Sequence, residues 1–425
     1  LVAGQTVSQL GDKLHHMALI ALVGAGATAQ TGGLELAKLS AVFTLPVVLL
    51  GPLAGAMVDR WNKRLTMIAC DLLRALLVGA IPWVYAASGH LWSVYALAFV
   101  VFMLGLFFNS AKMALIPELV PRAELLSANA SLTLVGRMAT VAGILGGGIM
   151  ISAPYWRRFG WTDYAAGFYL DAVSYVASVV ALLAIGLVFR ARSGGRSWGR
   201  RASPAGAATT RAPTRLIADA VATLRLVRHQ PHLRFVFLSL VLLGLFASTA
   251  YVAMTLAVQT VMGKGTAGVG YLGGLLAAGM VVGSLLVGTV GRAIRREFVI
   301  IACTAVIGVL MLGAGLFFSF QAFAPVAVVG GALLAPIMVA QDTMLHEHAP
   351  SHARALIFST RDLVLAAVFV VSSFVVGTAV YLFGRAGFAE PYRAALIVCG
   401  ALITGVALLG SMLAVPRHSA PDQAR

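Results

Sequence analysis

Apolar runs of about 20 residues recur along the whole chain, broken by short polar or Gly/Pro-containing stretches. A helix of ~20 apolar residues crosses a hydrocarbon core of ~30 Å, so the pattern predicts a series of membrane-spanning helices. Twelve spans are read: 3–27, 37–58, 65–87, 91–112, 125–151 and 164–189, then 232–260, 267–291, 297–320, 324–345, 355–383 and 392–415. Between the two sets, Arg190 to Pro213 is rich in Arg, Gly, Ser and Ala and cannot bury a core, which marks a linker. From Thr214 to His229, Ile217, Ala220, Val221, Leu224 and Val227 share one helical face, with Arg215, Asp219, Arg225 and Arg228 elsewhere. This amphipathic helix either lies on the membrane surface or packs on the inner ends of the spans. The expected architecture is an all-α membrane protein with twelve transmembrane helices in two six-helix bundles, 1–189 and 232–425, joined by a cytoplasmic linker over 190–231.

An internal repeat supports the two halves independently of hydropathy. AKMALIPELVPRAELLSA, Ala111 to Ala128, aligns at an offset of 229 residues with AQDTMLHEHAPSHARALI, Ala340 to Ile357. Glu118 meets Glu347 and Pro121 meets Pro350, in the loops after the fourth and tenth spans.

Composition changes the reading of the charge. The chain is 60% hydrophobic and 11% charged, against ~25% charged in an average soluble domain. A net charge of +16 would suggest nucleic acid in a soluble protein, but the basic residues are partitioned by side. With the N-terminus inside, the inner segments hold twenty-two Lys and Arg and the outer segments six, while Lys13, Arg74 and Arg137 fall within spans. This positive-inside asymmetry argues against nucleic-acid binding and predicts a multi-pass protein of the cytoplasmic (inner) membrane with both termini cytoplasmic. Cys70, Cys303 and Cys399 each sit in an apolar run, where no disulfide or zinc framework follows. The chain begins at Leu1, directly in a helical segment, so its first residues are expected to be trimmed, and no separate cleavable signal peptide is visible.

Ionisable residues inside spans cost roughly 2.5 to 3.5 kcal/mol each on insertion scales, so each requires a partner, a wet cavity or a task. Asp12, beside Lys13, His15 and His16 on the first helix, and Asp171 on the sixth are candidate protonatable carboxylates. Burial favours their neutral form and lets a proton or a cationic substrate exchange there. Arg137 falls near the middle of the fifth span, where pairing with Asp12 or Asp171 would satisfy both charges and supply a breakable coupling pair. Asp71 and Arg74, three residues apart, share a helical face and read as a structural ion pair; Arg361 and Asp362 form a similar pair in the eleventh span. His346, His348 and His352 cluster with Glu347 and read as a titrating cytoplasmic loop in preference to a metal site. Helix five carries Gly143, Gly146, Gly147 and Gly148, and helix eight six glycines from Gly270 to Gly288, both suited to close packing.

The loop after the second span reads Gly55-Ala56-Met57-Val58-Asp59-Arg60-Trp61-Asn62-Lys63-Arg64. Gly55 would permit close helix contact, Asp59 would cap the inner helix end, and Arg60, Lys63 and Arg64 would stay in water or meet anionic headgroups. This pattern resembles the signature G-x-x-x-D-[RK]-x-[GN]-[RK]-[RK] of the major facilitator superfamily, and the resemblance covers essentially the full chain. It implies the major facilitator fold, with Asp59 and its basic neighbours as a cytoplasmic gate that stabilises the outward-open state. The second-half counterpart, Gly288 to Arg296, keeps Arg292, Arg295 and Arg296 but has no acid at the position of Asp59. Ser8 to Asp12, and Asn109 to Lys112 through Pro117-Glu118-Leu119 to Ala130, resemble the macrolide-efflux and enterobactin-exporter branch, and also bacterial lysophospholipid transporters.

The expected function is alternating access by two rocking halves, exporting a lipophilic or amphipathic small molecule, drug-like or siderophore-like, with lysophospholipid movement between leaflets as the alternative. No nucleotide-binding signature appears, so a proton or sodium gradient is the expected energy source and no cofactor is expected. A membrane enzyme or a transporter-shaped sensor is the lesser reading. The partners expected are the cargo and membrane lipids, with the monomer as the working unit.

Overall fold

The computed structural model describes residues 2–28, 31–58, 60–119, 124–192, 223, 225–290, 295–350 and 354–413; at some of these, Arg137 among them, the description extends to the backbone alone. Asp59, Arg292, His352 and most of the linker lie outside the described residues. Twelve long helices succeed one another among the described residues. The first six are α1 (Val2–Gly26), α2 (Gly32–Val58), α3 (Lys63–Ser88), α4 (Leu91–Leu119), α5 (Leu125–Ile151) and α6 (Asp163–Arg192). The second six are α7 (Pro231–Thr249, continued to Val261 by π-helical turns), α8 (Gly265–Val290), α9 (Arg296–Leu316), α10 (Phe320–His348), α11 (Arg354–Arg385) and α12 (Pro391–Leu413).

Ten of these are long and apolar enough to cross a membrane on their described residues. The other two are α5, whose described apolar stretch is Met138–Ile151, and α1, whose Asp12, Lys13, His15 and His16 lower its hydropathy. The polar side of α1 is covered by protein instead of lipid: Ser8 and His15 are both buried. Local signals set several ends. Asn62 accepts a hydrogen bond from the Leu65 N–H at 3.1 Å at the start of α3, and Ser319 accepts from the Ala322 N–H at 3.2 Å before α10. Pro82 in α3 and Pro325 and Pro336 in α10 are accommodated inside their helices, as is common where neighbouring helices satisfy the freed backbone.

Several element boundaries differ from the hydropathy reading. Helix α2 starts earlier and takes in Glu35, which pairs with Lys38 at 2.7 Å. Helix α4 continues past Lys112 to Leu119. Helix α10 runs to His348, so His346 and His348 belong to a helix rather than a loop. Being on a helix turns them apart: His346 packs on Phe358, while His348 stacks on His232 at 4.2 Å between ring centres. Of the amphipathic stretch before α7, the described residues Thr223 and Val227 are buried, so its described end packs on protein.

The six connections α1–α2, α3–α4, α5–α6, α7–α8, α9–α10 and α11–α12 lie at one end of the bundle, and the halves meet there. Gly148 of α5 and Gly270 of α8 touch backbone to backbone, so a Cβ on either would lie 2.7 Å from the other's Cα. Gly33 of α2 and Gly377 of α11 form a similar seam, where a Cβ on Gly377 would lie 2.6 Å from the Gly33 carbonyl oxygen. Along α2 towards the other end, Gly51 and Gly55 have no heavy atom of the described residues within 4 Å of a Cβ position. Among the described residues, the glycine seams between the halves thus close the first end.

Gly148→Val is expected to wedge this closed end apart. With Cys70, Cys303 and Cys399 replaced by alanine and a thiol placed at Val269→Cys, a membrane-impermeant thiol reagent added on the closed-end side should react roughly tenfold faster when Gly148→Val is present, because overpacked helix contacts relax by backbone displacement.

Candidate functional site

Arg74 organises the polar interior of the first half. It sits about 16 Å along α3 from Lys63 at the open end, near the middle of the span. One side of its guanidinium hydrogen-bonds Asp12 of α1, the other approaches Asp71 Oδ1 at 3.5 Å, and its plane stacks on the Tyr175 ring of α6 with the central carbon 4.0 Å from the ring centre. Tyr175 in turn donates its phenol hydrogen to Asp12 Oδ1 at 2.6 Å. Asp12 and Asp71 thus share one cation, and Tyr175 holds both the acid and the base in place.

A second acid lies behind them. Asp171, fully buried, accepts from Ser174 Oγ at 3.1 Å, and its other oxygen lies 3.7 Å from His15 Nδ1. Neither ring nitrogen of His15 has a hydrogen-bond partner among the described residues, and the ring is held edge-on between Phe102 and Phe168, each 5.5 Å away. Close approach of α1 to α6 depends on Gly11, where a Cβ would stand 1.9 Å from Ser174 Oγ and 2.4 Å from Asp171 Oδ1. Lys13 and Lys112 are within electrostatic reach of Asp12. Among the described residues, the enclosed shell contains three carboxylates, one guanidinium and one imidazole. Each uncompensated ion buried there costs several kcal/mol, so the charge balance of the shell depends on how many protons it holds. Asp12 is the accessible member, with 37% of its side chain exposed, while Asp71 and Asp171 are at 0%.

One helical turn from Asp12, on the same face of α1, His16 lines a chamber of about 420 Å³ between the halves. Ile144 of α5 completes the first-half wall, and Phe246, Tyr251 and Met254 of α7, Leu272 and Leu276 of α8 and Phe369 of α11 form most of the remainder. Among the described residues, no Asp, Glu, Lys or Arg lines it. Phe43, His16, Tyr251 and Phe369 pack as an aromatic bridge across the two halves, with centroid separations of 5.0 to 6.1 Å.

The residues singled out from sequence are thus distributed unevenly. Asp12, His15 and Asp171 converge with Asp71 and Arg74, which sequence had set apart as a structural pair. The guanidinium that meets Asp12 is that of Arg74; the side chain of Arg137 lies outside the described residues. Tyr175 and Ser174 were missed, although their spacing of four and three residues from Asp171 puts them on its helical face. Arg361 pairs with Asp362 at 3.0 Å, as its neighbour, and also with Asp342 of α10 at 3.1 Å, which sequence gave no reason to single out. In the gate motif, Arg60 is exposed, Lys63 is buried and has a partner, and Arg64 donates to the Leu183 carbonyl of α6 at 3.4 Å. In the second-half counterpart, Arg296 finds an acid after all, Glu347 of α10 at 2.8 Å.

The sequence model described as the Major Facilitator Superfamily matches residues 1–359. The chain belongs to the major facilitator superfamily. It is 32% identical over 173 residues to the uncharacterized MFS-type transporter YfiS of Bacillus subtilis (strain 168), covering 41% of this chain and 40% of that one. It is 28% identical over 182 residues to an uncharacterized MFS-type transporter of Mycobacterium tuberculosis (strain ATCC 25618 / H37Rv), covering 43% and 40%. The matched segments span about two fifths of these curated relatives. Among solved structures, a bacterial homologue of the human lysosomal transporter Spinster, inward-facing and unoccupied, superposes with a TM-score of 0.72 at 11% identity over 97% of this chain and 95% of that one. A bacterial homologue of the iron transporter ferroportin, also inward-facing, gives 0.67 at 15% identity over 97% of each chain. These likenesses show the fold. As a major facilitator protein the chain is a multi-pass membrane protein.

Proposed function

We propose that this chain exports a lipophilic or amphipathic small molecule in exchange for protons, with the shell around Arg74 as the coupling site and the chamber beside it as the cargo site. The observation that carries this reading is the adjacency of the two: Asp12 belongs to the buried charged shell and lies one turn from His16 on the wall of an uncharged, apolar chamber. An apolar body fits the chamber, and a polar end reaching towards Asp12 competes with Arg74 for that carboxylate. Protonation of Asp12 has the same effect on Arg74, so proton and cargo bias one pair of contacts. The positive-inside distribution favours an orientation with the end opposite the glycine seams and both termini on the cytoplasmic side, and on that orientation the described state faces inward.

The decisive experiment is reconstitution into proteoliposomes with an imposed pH or sodium gradient, using labelled lysophospholipid and a panel of neutral and cationic hydrophobic compounds. Uptake of a hydrophobic compound driven by the pH gradient alone supports the proposal. Lysophospholipid movement would make the chamber an acyl-chain site, sodium dependence would remove the proton role, and transport of none would favour a sensor. Leu276→Trp, which fills the chamber, is expected to weaken binding of a transported compound about tenfold by fluorescence titration while leaving thermal stability within a few degrees of wild type.

A further inference from the structure

Helix α7 changes character where it meets the closed end. Ala250–Met254 and Ala257–Val261 wind as π-helix, the Thr255 N–H donating to the Ala250 carbonyl and the Met262 N–H to the Ala257 carbonyl at 2.8 Å. Such turns are rare and concentrate at functional sites. No local cause is present, since the stretch AYVAMTLAVQTV contains neither Gly nor Pro. The cause is tertiary, and two side chains show it.

Gln259 crosses to the first half. Its Nε2 donates to the Ile20 carbonyl of α1 at 3.2 Å and to Thr266 Oγ1 of α8 at 3.3 Å. Its amide fills the notch left by Gly24, where a Cβ would lie 2.3 Å from Gln259 Cδ. Two turns earlier, Tyr251 inserts its ring into the aromatic bridge against Phe43 and Phe369. The fit is incomplete at both places, because Gln259 Oε1 and the Tyr251 hydroxyl are buried without a hydrogen-bond partner among the described residues. Orphaned buried polar atoms are costly, so this stretch is held by its cross-half contacts against an internal penalty. The same turns present Tyr251, Met254, Thr255 and Val258 to the chamber.

We infer that the π-helical stretch of α7 is a register switch for the closed end, with Gln259 as its latch and Tyr251 as its sensor of the chamber. Converting a π turn to an α turn takes one residue out of the turn and rotates the remainder of the helix by about 100°. Gln259 then leaves the Gly24 notch, and Tyr251 leaves the aromatic bridge. A ligand against Tyr251 and Val258 biases that conversion, so that occupancy and opening of the closed end are linked through one helix. The inference concerns gating and does not depend on which cargo or ion the chain carries.

Spin labels at Thr28→Cys and Ala386→Cys, both exposed at the closed end on opposite halves, report the separation there by pulsed EPR in lipid nanodiscs, with Cys70, Cys303 and Cys399 replaced by alanine. Gln259→Leu, which keeps the bulk and removes the hydrogen bonds, is expected to raise the wide-separation population about fivefold, and Gly24→Ala to move it the same way. Tyr251→Phe, which keeps the ring and removes the orphaned hydroxyl, is expected to lower it about fivefold. Opposite signs from two side chains of one helix are not the result of general damage. An unchanged distribution in Gln259→Leu and Gly24→Ala overturns the inference, as does a shift of Tyr251→Phe in the same direction as theirs. If Gln259→Leu is not recovered as monodisperse protein, the signs of Gly24→Ala and Tyr251→Phe decide.

Discussion

Arg74→Met is expected to abolish gradient-driven transport, lowering initial flux in proteoliposomes by more than about 100-fold, and to destabilise the protein. Methionine matches the length of the arginine stem and leaves the ring of Tyr175 covered, so the change is mainly one of charge. It leaves Asp12, Asp71 and Asp171 with the His15 imidazole and without the guanidinium that Asp12 and Asp71 share. Breaking a buried pair by removing one partner typically costs about 3 to 5 kcal/mol, a loss expected to show here as a lower unfolding temperature. The paired variant Arg74→Met with Asp71→Asn removes one of the stranded acids and should recover much of the stability without recovering transport. Flux that survives Arg74→Met at wild-type pH dependence would take the coupling role away from this shell.

The second large effect is expected from Asp12→Asn. The side-chain oxygen of asparagine can still accept the Tyr175 phenol hydrogen that Asp12 receives at 2.6 Å, so the packing of α1 on α6 is kept. The variant loses the charge facing Arg74 and the capacity to take up a proton at the exposed member of the shell. Accumulation of cargo against a gradient should fall about 100-fold, whereas exchange of cargo across the membrane without a gradient should stay within about threefold, and its dependence on pH should flatten. Measuring both modes in one preparation separates coupling from binding. If exchange falls as steeply as accumulation, Asp12 binds cargo; if pH dependence persists, the proton sits on Asp171 or His15.

How far sequence reasoning reached differs between helices and contacts. Reading Asp12, His15 and Asp171 as members of one site was possible because a charge inside an apolar span is conspicuous by itself. Reading Asp71 and Arg74 as a local pair was also sound arithmetic on helical spacing, and the 3.5 Å approach is there. It was incomplete, because spacing along one helix says nothing about which other helix supplies a closer partner. Tyr175 carries no charge and therefore gave no signal, though it orders Asp12 and Arg74 together. Gln259 and Tyr251 were overlooked for the same reason: an amide and a phenol in an apolar run are inconspicuous until the notch at Gly24 and the aromatic bridge are known.

Twelve helices in two halves were determined by the sequence alone. Lipid acts as a local solvent, and each helix satisfies its own backbone within its own run of residues, so length and hydropathy suffice to place it. The tertiary structure alone decided which end is closed, which cation meets Asp12, and where α7 departs from α-helical winding. These depend on the rotation of each helix about its axis and on backbone approaches as close as that of Gly148 to Gly270, which are properties of pairs of helices packed together and are written in neither sequence by itself.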